Sequence, residues 1–358
     1  MTTIPYEGNL AWIHDRTILL TKHGSHAYGL ATETSDLDLK GVAIPPREYM
    51  LGFVKNFEQL ETREPCDMVI YELRKFCRLA ADCNPNIIEV LWTDPSDHLL
   101  RTPLGDKLVE ARASFLSRKA RHTFSGYAMS QLKRIKTHRR WLIGPPEAQP
   151  TRGEFGLPER TVIPADQLMA AESQIRKQVE AWDVDLGELD QATRIQLQAR
   201  WTEVLTEMSL VGDAQWRAAG RTLGYDDNFL ELLERERRYK TAQDEWRQFN
   251  DWKAKRNPAR AALEAKHGFD TKHASHLVRL MRMCREILET GQVWVKRPDH
   301  EELRAIRAGA WDYDRLIKWA DAQDKLMGEA EKSSPLPKSP DRDALDRLCV
   351  ELIEASLA

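Results

Sequence analysis

The stretch "KHGSHAYGLATETSDLDLKGV", residues 22–42, decides how the chain is read. It follows an apolar, β-branched run, "TILLT" (17–21), that reads as a short buried strand ending in a turn at Lys22-His23-Gly24. With ten residues between, Ser25 is followed by Asp36, Leu37 and Asp38. In "SDLDLKGVAI", Asp36, Asp38 and Lys40 fall on one side and Leu37 and Leu39 on the other, the pattern of a half-buried strand with a polar working face. Two aspartates at i and i+2 on a strand share a face, about 6.8 Å apart along the chain, so their oxygens can converge on a pair of metal ions. Mg²⁺ prefers oxygen ligands and retains waters, so two or three carboxylates plus substrate phosphates suffice to hold it. Gly24 lets the backbone approach a phosphate, and Ser25 adds a hydroxyl donor. A helix starting at Ser25 would point its free N–H groups at the same anion. The stretch thus reads as one site, with phosphates at Gly24-Ser25 and metal at Asp36 and Asp38.

Working outward, "DMVIYEL" (67–73) is a third strand that runs into a helix, "LRKFCRLAADC", which Pro85 in Asn84-Pro85-Asn86 stops. "IIEVLW" continues as another helical turn or two. Strand, helix and strand within the first 100 residues define a small α/β domain. From Pro103 onward helical patterns dominate, first as two helices with a break expected near Gly126. The Pro- and Gly-rich segment 144–164 reads as a loop or linker, and 165–265 as charged helices in which Trp182, Trp201, Trp216, Trp246 and Trp252 are packing anchors. In "KHASHLVRLMRMCREILETG", Leu277, Leu280, Cys284, Ile287 and Leu288 form one apolar stripe, with Gly291 as the C-terminal cap. The fold class expected is α+β: a catalytic domain over 1–100, a helical region over 101–290 and a C-terminal helical segment over 291–358.

The net charge of −3 over 358 residues excludes a protein that coats nucleic acid along its whole surface, so any basic site must be local. One such stretch exists. From Arg112 to Arg140 the chain has nine Lys or Arg residues and no acid, and Lys133, Arg134, Lys136, Arg139 and Arg140 cluster with Tyr127, His138 and Trp141. It fits a triphosphate or a nucleic-acid backbone; the competing reading is a solvated helix face balanced by acidic helices. The five cysteines form no C-x-x-C pair and read as free thiols of a reducing compartment. The N-terminus has no basic region followed by an apolar run, and no apolar stretch approaches about 18 residues, so neither secretion nor a membrane span is expected and the cytoplasm is.

Gly-Ser, ten residues, then Asp-x-Asp resembles the DNA polymerase β-like nucleotidyltransferase superfamily. The fuller string "GSHAYGLATETSDLDLKGV" is similar to its RlaP-like, RNA-ligase-associated branch. The likeness continues in "DMVIYELRKFCRLAADCNPNIIEVLW", "GYAMSQLKRIK", "KHASHLVRLMRM", "ELRAIRAGAWDYDRLIKWA" and "SPLPKSPDRDAL", and is weakest over 165–260. The resemblance implies an α/β catalytic domain, Mg²⁺ or Mn²⁺, and transfer of a nucleoside monophosphate from an NTP, with RNA as the expected acceptor. It makes Gly24 and Ser25 the phosphate-binding pair and Asp36 and Asp38 metal ligands. A third carboxylate on a later strand is implied, for which Asp67 is the candidate and Glu72, on the opposite face of a regular strand, the rival.

Other residues carry two readings each. Tyr28 either shapes the turn leaving the nucleotide site or packs. Lys40, on the aspartates' face, either meets a phosphate or neutralises Asp38. His23 and His26 make turn hydrogen bonds rather than phosphate contacts. Arg279, Arg282 and Arg285 are expected in salt bridges to neighbouring helices. His273 and His276 stand at a metal-compatible i, i+3 spacing, but no Cys or carboxylate lies at a ligand-like spacing, so zinc is not expected there. Two functional readings compete with RNA end modification: nucleotidyl transfer to a protein or small molecule, and an inactive nucleotide- or RNA-binding fold.

Overall fold

The computed structural model describes residues 4–33, 35–161, 163–182 and 209–357; the reading of Trp201 lies outside these, as does that of the Trp182 side chain. The fold is α+β, a small five-stranded sheet near the N-terminus followed by a large helical region. The chain divides into two compact units: Met1–Leu142 together with Pro258–Ala358, and Ile143–Asn257.

The first unit holds the sheet: β1 (Thr17–His23), β2 (Asp38–Ala43), β3 (Gln59–Thr62), β4 (Asp67–Glu72) and β5 (His98–Arg101), in the order β3-β4-β2-β1-β5. The β2–β4 pair is parallel and the other pairs antiparallel. Helix α1 (Ile13–Arg16) precedes β1, α2 (Gly24–Ala27) leads from β1 towards β2, and α3 (Arg47–Leu51) follows β2. After β4 come α4 (Leu73–Ala81) and α5 (Pro85–Leu91), and after β5 come α6 (Pro103–Glu110) and α7 (Ala120–Ile143).

Local chemistry explains these boundaries. Glu72 caps α4 by accepting the Lys75 N–H, and Asn84 caps α5 by accepting the Asn86 N–H. Pro85 does not simply end a helix: it occupies the first turn of α5, where its missing N–H has no partner to lose. The break expected at Gly126 lies earlier, at the turn 116–119, and α7 runs unbroken through Gly126. Strand β2 begins only at Asp38, so Asp36 and Leu37 precede the sheet rather than alternating within it, and Leu37 is exposed. Short β3 and β5 carry no strong alternation; pairing with β4 and β1 defines them.

The second unit contains α8 (Ala165–Trp182), α9 (Ser209–Thr222) and α10 (Asp227–Ala254). Its own small core is Ala171, Ile175, Trp216, Ala219, Leu230 and Leu233. Trp216 is the packing anchor expected, and Trp246 and Trp252 flank Phe249 at ring distances of 6.2 and 5.9 Å.

The chain then returns to the first unit as α11 (Pro258–His267), α12 (Thr271–Thr290), α13 (His300–Arg307), α14 (Tyr313–Ser333) and α15 (Arg342–Leu357). Asp270 caps α12 and Gly291 ends it in the left-handed conformation at φ 67°. One face of the sheet, with Leu19 and Val42, packs into a core shared with Phe76, Ile88, Phe124 and Leu277. Leu316 and Leu352 lie in the same core. The other face, with Leu20, Leu39, Met68 and Ile70, is covered by Ile4, Ile13 and Phe57. The last hundred residues are therefore part of the core that supports the sheet.

Candidate active site

Three carboxylates meet at one end of the sheet. Asp38 opens β2 and Asp67 opens β4, and the parallel register sets them directly side by side. Asp36 and Asp67 line a cleft of about 260 Å³ with Leu37, Arg63, Pro65 and Cys66. Burial raises the Asp38 carboxyl above its ordinary value, and the nearby charges of Asp67 and, more weakly, Asp36 add to this against Lys40 and Lys272. Like charges gathered this way are what a bound cation would relieve. Glu72, the rival third carboxylate, lies at the far end of β4. It is buried, caps α4 and accepts from Arg74 Nε at 2.9 Å.

The Gly-Ser turn lies across from the aspartates. His23, the last residue of β1, pairs with Asp38 of β2, and Gly24 follows at φ +61°. A Cβ at Gly24 would stand 1.9 Å from Asp38 Oδ2, so glycine is what admits the carboxylate. Helix α2 begins at Gly24, one residue earlier than expected, and Ser25 is half-buried in its first turn.

Behind the turn lies a buried ionic cluster of which the sequence disclosed only parts. Glu89 of α5, fully buried, accepts from Tyr28 Oη at 2.5 Å and from Arg279 Nη1 of α12 at 2.5 Å, and lies 3.3 Å from His23 Nε2. The Arg279 guanidinium stacks 3.7 Å from the Tyr28 ring centroid and donates to His276 Nε2 at 2.9 Å. Burial alone would raise Glu89, but the Arg279 cation and the His23 and Tyr28 contacts hold its carboxyl well below the usual range. Burial drives His23 down to about 4 and Lys40 down to about 8. Lys40 donates to the Asn86 carbonyl at 3.1 Å, which turns it towards α5. Tyr28 is thus a packed residue of this cluster. The loop after α2 is held by the Arg297 N–H on the Tyr28 carbonyl at 3.2 Å and by Arg304 of α13 on the Gly29 carbonyl at 2.7 Å. Arg279 and Arg282 make the interhelical salt bridges expected, Arg282 with Glu302 at 2.8 Å, whereas Arg285 pairs within α12 with Glu289 at 3.4 Å.

The basic stretch divides by role. Arg121 pairs with Asp324, Lys119 with Asp82, and Arg112 lies over the Trp92 ring. Arg139 donates to the Gly268 carbonyl at 2.9 Å and stacks on Tyr313 at 4.3 Å, so it joins α7 to the start of α12 and to α14. Lys133, Arg134, Lys136 and Arg140 are exposed on α7. Arg134 lies within electrostatic reach of His273, and Lys272 beside it within reach of Asp38. Lys272 has no marker in the sequence, because only the fold brings the start of α12 to the aspartates.

The paired aspartates thus open two adjacent parallel strands at one end of the sheet, across from the Gly-Ser turn that follows β1. Residues 7–142 match the family model RlaP, described as "RNA repair pathway DNA polymerase beta family". The chain is also similar to an uncharacterised 38.9 kDa protein of Enterobacteria phage T4, 30% identical over 127 residues. That match spans 32% of this chain and 38% of the phage protein's length. No solved structure matches the chain. Among the described residues no helix is long and apolar enough to cross a membrane.

Proposed function

We propose that the protein is a metal-dependent nucleotidyltransferase that moves a nucleoside monophosphate from an NTP to a hydroxyl of an RNA acceptor, with release of pyrophosphate. The observation that carries this reading is the side-by-side placement of Asp38 and Asp67 against the Gly24 turn. Asp36, Asp38 and Asp67 would hold the divalent ions. Such ions, when bound, neutralise the NTP phosphates and favour in-line attack at the α-phosphorus. The chain's own groups supply position and charge. The turn at Gly24 and Ser25 receives the β- and γ-phosphates through backbone N–H groups and the Ser25 hydroxyl. Lys272, exposed near Asp38, adds a cation for the same phosphates. Asp67, exposed at the mouth of the cleft, orients the acceptor hydroxyl and takes its proton.

RNA is favoured as acceptor by the exposed Lys133 and Arg134 on α7, which extend positive charge from Lys272 along the same unit. The description of the matching family, an RNA repair pathway, supports the same acceptor. The test is incubation with each labelled NTP, Mg²⁺ or Mn²⁺, and either cellular RNA or cellular protein. Label appearing in RNA in an Asp38-dependent manner supports the reading. Label in protein or a small product moves the acceptor to another class.

A further inference from the structure

We propose that His138, Asp270 and His273 form a second metal site, of the Zn²⁺ type, that fastens α7 to the start of α12 and is separate from the aspartate cluster. The three side chains offer ligand atoms that all lie within 4.8 Å of one another. His138 Nδ1 is 3.8 Å and His273 Nε2 3.6 Å from the same Asp270 oxygen, Oδ2. Ligands at about 2.0–2.2 Å from a tetrahedral Zn²⁺ stand roughly 3.4 Å apart, so the two His–Asp270 distances need a contraction of only a few tenths of an ångström. Two imidazoles and one carboxylate leave a fourth position for water.

The supporting frame is already in place. Asp270 is fully buried, and its other oxygen, Oδ1, accepts the His273 N–H at 3.0 Å as the cap of α12. That bond fixes the carboxylate, and His273 rises from the first turn on the same side. His138 is stacked on Trp141 at 5.6 Å with 24° between the rings. Both imidazoles keep 15% of their side-chain surface open, which leaves a path for an ion.

Arg260 is the competitor. It donates to Asp270 Oδ2 through Nε at 2.9 Å and through Nη2. Its Nε also lies 3.5 Å from Glu264 Oε1, another buried carboxylate. Arg260 is therefore shared between two acids and is 32% exposed, so it has an alternative partner when an ion takes Asp270. The cations Arg260, Lys272 and Arg134 around this cluster disfavour a hard, weakly held ion such as Mg²⁺ and select one that bonds imidazole. The i, i+3 pair of His273 and His276 is not itself the site. His276 is engaged with Arg279, and the partners of His273 come from Asp270 and from α7.

The test is calorimetric titration of the chelator-treated full chain with Zn²⁺, with Co²⁺ absorption as the reporter of tetrahedral N/O ligation. One equivalent of Zn²⁺ should bind at or below micromolar concentration, and equally well in the Asp36→Asn, Asp38→Asn, Asp67→Asn triple variant. His138→Gln or His273→Gln should weaken binding at least tenfold, and Arg260→Gln should tighten it several-fold. Absence of stoichiometric binding in the wild type, or binding that survives loss of both histidines, would overturn the proposal. Should the histidine variants fail to fold, diethyl pyrocarbonate labelling of the wild type decides. Zn²⁺ protection of His138 and His273 supports the site, and equal labelling with and without Zn²⁺ overturns it.

Discussion

The carboxylate of Asp38 occupies the space that any side chain at position 24 would need: a Cβ on Gly24 would stand 1.9 Å from Asp38 Oδ2. The φ of +61° at Gly24 adds a second objection to substitution, since a left-handed conformation costs an L-residue roughly 1–2 kcal/mol. Gly24→Ala should therefore displace Asp38 as well as strain the turn. The expected result is a loss of stability of about 1–3 kcal/mol by urea denaturation and at least a tenfold loss of nucleotidyl transfer. A variant with unchanged activity would show that the Gly24–Asp38 contact is incidental.

Asp38→Asn should stabilise the metal-free protein while removing activity. Burial and Asp67 raise the Asp38 carboxyl in the folded chain, so its ionised form is less favourable folded than unfolded. That penalty is present at pH above the folded value and is relieved as pH falls below the unfolded one. At neutral pH the amide removes it, and because Asp38 is only half-buried the gain should be about 1 kcal/mol or less, read as a small rise in Tm. Adding Mg²⁺ or Mn²⁺ should raise the Tm of the wild type and leave that of Asp38→Asn unchanged. Equal stabilisation of both would place the ion elsewhere.

Arg279 joins α12 to the strand-and-turn end of the sheet through Glu89 and Tyr28. Removing one partner of a buried pair strands the other charge, so Arg279→Met should cost about 3–5 kcal/mol, and Arg279→Met with Glu89→Leu should recover much of that loss. The same cluster sets a pH dependence. His23, ordinarily 6.5, is held at about 4, so below pH 6.5 the unfolded chain takes a proton that the folded chain refuses. Stability should be full above pH 6.5 and fall by about 1 kcal/mol per pH unit towards 4, and His23→Gln should flatten this slope. An identical slope in the variant would remove His23 as its source.

Lys133 and Arg134 should act on the acceptor rather than on the nucleotide. Lys133→Glu with Arg134→Glu should weaken RNA binding and lower the slope of log affinity against log salt by roughly 1–2, with folding retained because both side chains are exposed. Unchanged salt dependence would take RNA off this face of α7. Arg139 holds α7 to the Gly268 carbonyl and to Tyr313, so its replacement would disturb packing as well as charge.

What the sequence disclosed depended on how local the signal was. Strand β1, the turn at Gly24, the α4 helix and the Gly291 cap rest on contiguous residues and were legible. The placement of Asp36 was not, because alternation across residues 35–39 continues past the point where hydrogen bonding to β1 and β4 begins. Glu89, Arg279 and Lys272 were invisible as a group. Their meeting depends on α5 and α12, about 190 residues apart, packing in one core. Gly126 misled because a glycine lowers helix propensity by only about 1 kcal/mol, which the packing of Phe124, Ala128 and Leu132 overrides. Asp67 and Glu72 could not be separated by spacing, and it is the cap of α4 that engages Glu72.

The most direct measurement is transfer of label from an α-³²P-labelled NTP to an RNA with a free hydroxyl end, comparing wild type with Asp38→Asn and Asp67→Asn in Mg²⁺ and in Mn²⁺. The account expects label in the RNA and stoichiometric pyrophosphate with the wild type, and at least a hundredfold loss in both variants while each remains folded. Label transferred equally by the variants, or no transfer to any acceptor under any of these conditions, would contradict it.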